Sequence, residues 1–319
     1  MSVVGRWAVA PAGVVGVVAA RRGRPGGRLV GVEWPVSVAL AQAVQTLPVG
    51  ADLHYEPKFD GHRLVMWRTA ESVRLQTRSG RDVTSVWMDL ALAGMQLPAG
   101  TVLDGEGVVY VGGRVDFGAA QSRANSTPAR ARLLAETRPA HYAVFDILGH
   151  PEHGDVRGWA WVRRRTLLEH LLEEYGMGQP IQAVPTTADV ATARVWYEVL
   201  QTQGIEGLVV KAGSSTYRGN SRQWWKVRHA ETVDASVVGY TGPIQRPRAL
   251  AVQLPDGRIA LSQTLKASLA AQLGRLLAGT GRAARTRAGD RYIVARAGVI
   301  VEVLVGTTRH MVVTVTRVR

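Results

Sequence analysis

Lys58-Phe59-Asp60-Gly61-His62-Arg63 places an amine nucleophile, a tight turn and a guanidinium within one short stretch. A free lysine has a pKa near 10.4, so only about one in a thousand is neutral near pH 7. A lysine that attacks must therefore sit among cations that disfavour its ammonium form. The chain offers several: Arg63 itself, Lys211 in Glu206-Gly207-Leu208-Val209-Val210-Lys211, and Lys226 and Arg228 in Trp224-Trp225-Lys226-Val227-Arg228. Lys226 and Arg228 stand two apart, so on a strand they share one face, suited to meeting phosphates. Arg63 and Arg78, the latter in Thr77-Arg78-Ser79-Gly80, are bidentate donors able to clamp ribose or phosphate. Two carboxylates lie beside glycine, Glu106 in Leu103-Asp104-Gly105-Glu106-Gly107 and Glu206. Each can hold a cation or a ribose hydroxyl without blocking entry. Acids and bases in this mixture suit phosphoryl transfer, which is mostly positioning and charge neutralisation.

With Tyr142-Ala143-Val144-Phe145-Asp146 added, the series resembles the motifs of the covalent nucleotidyltransferase family that contains ATP-dependent DNA ligases, RNA ligases and mRNA capping enzymes. The resemblance runs from about Val32 to the C-terminus. Within the family it is similar to the small bacterial ATP-dependent enzymes called ligase C, notably in Glu56-Pro57-Lys58-Phe59-Asp60-Gly61 and in Leu133-Leu134-Ala135-Glu136-Thr137-Arg138-Pro139-Ala140-His141-Tyr142. It implies that Lys58 attacks the α-phosphate of ATP, expels pyrophosphate and carries AMP as a phosphoramide. It further implies that Glu106 and Glu206 hold magnesium, or manganese in its place, or the ribose. Phe145 would stack on the purine, Glu56 would help recognise adenine, and Arg63, Lys211, Lys226 and Arg228 would surround the nucleotide.

The same resemblance implies nicked double-stranded DNA as partner, with repair polymerases as neighbours, and a monomer acting in the cytoplasm at the nucleoid. Arg78, Arg309 and Arg317 are the expected DNA contacts. Arg309-His310 and Arg317-Val318-Arg319 resemble the start of the last family motif, and no Asp-Lys pair follows them, which predicts a less efficient first step with ATP. Two other readings stay open: RNA joining or capping, and a non-catalytic nucleic-acid-binding relative.

Chemistry of this kind needs rigid strands beneath it. Interleaved apolar and polar positions predict paired strands over 54–68 and 72–77, with Asp60-Gly61 as the turn that ends the Lys58 strand. Short strands are expected over 102–110, 142–148 and 208–211, and helices over 162–175 and 188–203. The mixture predicts an α+β domain on antiparallel sheets over residues 32–231. About five further strands and one helix, 265–277, predict a small β barrel over 232–319, which the resemblance makes an OB-fold.

Composition sets the outer bounds. There are 319 residues, enough for two cores. Cysteine is absent, which excludes disulfides, thiolate metal sites and thiol nucleophiles. The net charge of +14 is unevenly placed. Residues 232–319 hold 13 Lys and Arg against 4 Asp and Glu, residues 1–31 hold 5 Arg and no acid, and 32–231 balance at 21 each. Basic flanks around a neutral core predict a grip on a phosphate backbone. The apolar run Trp7–Ala20 is too short to span a bilayer and is broken by Pro11, Gly13 and Gly16. Arg21-Arg22-Gly23-Arg24 follows directly, so residues 1–31 read as a flexible basic extension rather than a signal peptide.

Overall fold

The computed structural model of the chain describes residues 31–296, 298–306 and 312–319. The expected extension, up to residue 30, and Arg309 lie outside the described residues. Two compact units divide between Val227 and Arg228.

The first unit is built on two sheets. Its strands are β1 (Ala41–Ala43), β2 (Leu53–Lys58), β3 (His62–Arg68), β4 (Val73–Thr77), β5 (Val102–Val111), β6 (Arg114–Val115), β7 (Ala140–His150), β8 (Gly154–Asp155), β9 (Ile181–Ala183), β10 (Gly207–Ala212) and β11 (Trp224–Arg228). The smaller sheet runs β1-β11-β10-β2, and the larger runs β4-β3-β5-β7-β8 with β6 on β5 and β9 on β7. Most neighbours are antiparallel, as the α+β reading requires, but β1 lies parallel to β11 and β9 parallel to β7.

Alternation along β2 decides which side meets which layer. Tyr55 shares a face with Leu208 and Val210, joining Ala193 of the helix Val190–Val199 in one cluster. His54, Glu56 and Lys58 face the other way. The helix over 161–174 buries Trp161, Leu168, Leu171 and Leu172, as its spacing predicts. Asp189 caps the helix Val190–Val199 by accepting from the Ala191 and Thr192 amides at 3.1 and 2.9 Å. A cluster of Val36, Val65, Trp67, Leu148, Tyr217 and Trp224, with Phe145 and Val209 against it, ties the two sheets together.

In the second unit the strands are β12 (Ala230–Thr241), β13 (Ala249–Gln253), β14 (Ile259–Leu261), β15 (Gly279–Arg285), β16 (Arg291–Ala295), β17 (Ile300–Gly306) and β18 (Val313–Val318), with a helix at Ala267–Leu276. One edge of β12 pairs with β13; the other pairs with β17 along 230–236 and with β16 at Gly239 and Tyr240. A parallel bridge from Ser262 to Val313 brings β18 alongside the end of β14. The ring β14-β13-β12-β17-β18, with its helix between the third and fourth strands, is the OB arrangement. Val237, Leu250, Val252, Leu273, Val301 and Val303 fill it. The β15–β16 hairpin is an addition to that ring.

Candidate active site

The register of β2 against β10 assembles the centre of the site. Lys58 lies opposite Gly207 and Glu56 opposite Val209. The Glu206 amide donates to the Lys58 carbonyl at 2.8 Å. Glu206 is thereby held at the end of the Lys58 strand, and the Lys58 ammonium forms a short ion pair with its buried carboxylate. Directly after Lys58 the chain turns through Gly61, where a Cβ would strike the Gly107 carbonyl oxygen. Only glycine permits that approach of the turn to β5.

Across from Lys58 stands the larger sheet. Arg63 pairs in register with Glu106, and its guanidinium grips Asp104 in two hydrogen bonds of 2.9 and 2.6 Å. Asp104 also accepts from the Tyr217 hydroxyl at 2.6 Å, and that hydroxyl accepts from the Ala39 amide at 3.0 Å. Burial works against charge on Arg63, yet Asp104 outweighs it and raises the guanidinium above its ordinary value. Arg63 lies 4.8 Å from the Phe145 ring centre and 5.4 Å from that of Trp224. An aromatic floor with a fixed cation on it can take a flat base and a ribose.

Glu106 is the group whose charge the site perturbs most usefully. Enclosure pushes its carboxyl up to about 7; Lys58 and Arg63 oppose that shift, while Asp60 and Asp104 add to it. A carboxyl near 7 exchanges its proton readily for a cation. Among the described residues no three His, Asp or Glu side chains converge to hold a metal. Magnesium fits such a sparse donor set, because it binds through one or two carboxylates and completes its shell with water and substrate phosphates.

Glu56 and Lys211 occupy the layer beneath the aromatic floor. Lys211 Nζ lies 2.8 Å from Glu56 Oε2 and donates to the Phe145 carbonyl at 2.8 Å, with both side chains buried. It also sits 4.4 Å from the Trp224 ring centre and 5.0 Å from that of Phe145. Burial raises the Glu56 carboxyl, against Lys211 and Arg165. Its Oε1 has no hydrogen-bond partner, and neither has Arg165 Nη1, 3.9 Å away. Lys211 thus faces Glu56 and the platform rather than open space, and Glu56 Oε1 faces Arg165 without a hydrogen bond.

The remaining expected residues stand on other elements. Lys226 and Arg228 share a face of β11, and the sheet order sets that strand two places from β2. Arg78 is exposed in the turn after β4, where Gly80 takes a φ of 88°. Arg317, in the second unit, pairs with Glu302 at 2.7 Å, and Arg319 pairs with Asp234 and Glu302, both at 2.8 Å. The structure therefore brings together Lys58, Glu206, Arg63, Glu106 and Phe145, with Glu56 and Lys211 under them.

Sequence reasoning passed over Asp104, Tyr217 and Arg165. Asp104 carried a signal, standing two before Glu106 and so on the same face of β5. Tyr217 reaches Asp104 from 113 residues away, and no local pattern announces it.

Comparison with known proteins follows the same lines. A family model described as ATP dependent DNA ligase domain matches residues 37–228. DNA ligase C2 of Mycolicibacterium smegmatis is 34% identical over 207 residues, covering 65% of this chain and 57% of that protein. DNA ligase C of Mycobacterium tuberculosis is also 34% identical, over 209 residues, covering 65% and 58%. The chain thus spans less than two thirds of the length of these curated relatives. In fold it is similar to the ligase domain of M. tuberculosis LigD, with TM-score 0.53 and 23% identity over 89% of this chain and 94% of that one. A solved structure from a study of Lig E DNA ligases gives TM-score 0.57 and 19% identity over 89% and 100%.

Proposed function

This chain belongs to the ATP-dependent DNA ligase domain family, and from that membership we propose that it seals nicks in double-stranded DNA using ATP. The observation that carries the reading is the pairing of β2 with β10, which presents the Lys58 amine to the Glu206 carboxylate beside Glu106 and Arg63. In the first step Lys58 gives one ammonium proton to the Glu206 carboxylate it is paired with, Nζ forms a bond to the α-phosphorus of ATP as the bond from that phosphorus to the α,β-bridging oxygen breaks, and pyrophosphate leaves with the second proton that the nitrogen sheds. Glu206 holds the amine in line, and Arg63, fixed by Asp104, takes the ribose or phosphate. Phe145 supports the base, and the Glu56 oxygen that lacks a hydrogen-bond partner would accept from an exocyclic amine, as adenine carries and guanine does not at that position.

In the second step an oxygen of the 5′-phosphate attacks the same phosphorus and Lys58 departs. In the third the 3′-hydroxyl attacks the 5′-phosphorus and AMP leaves. A magnesium ion, held by Glu106 or Glu206 with nucleotide oxygens, would supply charge neutralisation during transfer. Manganese has similar chemistry. Neutralising charge while positioning the reacting groups is what this transfer needs.

The test is labelling with ATP and GTP in parallel, denaturing resolution, and a chase with nicked duplexes of all-DNA, mixed and all-RNA strands. Labelling by ATP and joining of DNA nicks is the expected result. GTP labelling, or joining confined to RNA, would instead assign the chain to RNA joining or capping, and no adduct with either nucleotide would make it a non-catalytic binder.

A further inference from the structure

The hairpin β15–β16 supplies none of the site residues named above, and its first strand adds little to the barrel core. Of the residues in β15, Gly279–Arg285, only Ala284 is even half-buried. A strand so exposed brings almost no apolar burial to offset the entropy of ordering it. The inner side of the ribbon is nonetheless pinned. Tyr292 is buried, with its ring packed over Gly239 where any Cβ would collide, and the Thr280 hydroxyl donates to the Val294 carbonyl at 3.1 Å.

What the ribbon presents outward is charge of one sign. Residues 279–295 hold Arg282, Arg285, Arg287 and Arg291 against Asp290 alone. Asp290 is committed to the turn: its carboxylate accepts from the Thr286 hydroxyl at 3.2 Å, and the Thr286 amide donates to its carbonyl at 2.9 Å. None of the four arginines forms an ion pair among the described residues, whereas Arg258, Arg317 and Arg319 each have a carboxylate. Moreover, Arg285 and Arg291 are direct cross-strand partners. Like charges so placed destabilise a hairpin. Charge of either sign would protect a bare edge from pairing with another chain. Four cations, two of them opposed, instead answer the charge of a partner.

We propose that this ribbon is a duplex-DNA clamp, its arginines neutralising backbone phosphates on either side of a groove without reading base sequence. The identification of the polyanion rests on the ligation reading. A two-stranded ribbon has the width to enter the major groove, and guanidiniums at its turn and edges then reach the flanking phosphates. The device stands apart from the loops and strand face by which OB barrels usually bind nucleic acid.

The test uses the full chain with Arg282, Arg285, Arg287 and Arg291 all changed to glutamine, and a second variant with all four changed to lysine. Binding to a nicked duplex is measured from about 50 to 200 mM salt, and each neutralised phosphate contributes about 0.9 to the slope of log affinity against log salt. The glutamine variant is expected to bind at least about tenfold more weakly near 100 mM and to lose about two or more from the slope. The lysine variant is expected to keep the wild-type slope, because backbone neutralisation needs charge rather than a fork. Thermal melting of the glutamine variant at or above the wild-type temperature would show that the fold is intact. Equal slopes for wild type and glutamine variant would overturn the clamp, and so would a lysine variant as weak as the glutamine one. Wild-type joining is read in parallel: failure to form an adduct or join a nick counts against the ligation reading, while equal slopes in a joining enzyme count against the ribbon alone.

Discussion

Glu106 is the residue through which pH should enter the chemistry. Its carboxyl sits near 7 against an ordinary 4.5, so between those values the native state holds a proton that the unfolded chain has released. Its contribution to stability therefore falls as pH rises through that window. A cation must displace the same proton, so the magnesium concentration needed for half-maximal adduct formation is expected to fall as pH rises from 6 to 8 and then level off. Glu106→Gln should remove that dependence; a variant titrating like wild type would show that the proton lies elsewhere. The ordered motifs that carry the family resemblance marked Lys58, Glu106 and Glu206 as site candidates in the sequence. The supports of the site were not, since Tyr217 reaches Asp104 only after the whole first unit has folded.

At the scale of elements, the β2–β10 pair is held on its site face by Glu56 and Lys211, diagonal neighbours in register and both buried. Lys211→Met leaves the Glu56 carboxylate without its cation, a change that costs about 3–5 kcal/mol at a buried pair. Burial already raises the Glu56 carboxyl, so the unpaired group takes up a proton readily as pH falls. The loss should therefore be larger in urea melts at pH 8 than at pH 5, and adding Glu56→Gln should restore part of it. A loss independent of pH would mean that packing around the platform, not charge, was disturbed. Apolar content and turn signals announced β2, β3, β5, β7 and β10, each of which carries a run of buried residues. β15 gave no such signal: Gly-Thr-Gly-Arg-Ala-Ala-Arg lacks an apolar period, and the strand exists through its pairing with β16. In the last basic stretch the expected DNA contact Arg317 meets Glu302 across β17 and β18, a pairing that sequence separation hides.

At the scale of the molecule, charge and chemistry are divided between units. The site residues from Glu56 to Lys226 lie in the first, whereas residues 232–319 carry 13 Lys and Arg against 4 Asp and Glu. Removing 232–319 should weaken duplex binding and flatten its salt dependence, while the first unit, with its own buried cores, stays folded. Equal affinity and equal slope for residues 1–231 and the full chain would place the grip on the first unit. The most direct test of the central claim is the covalent intermediate itself, followed in Lys58→Ala. Lys58→Ala is expected to form no protein–AMP adduct and to join nothing with ATP, yet to keep sealing a nick that already carries AMP on its 5′ end, since the lysine acts only before that point. An adduct at the wild-type level in Lys58→Ala would contradict that claim.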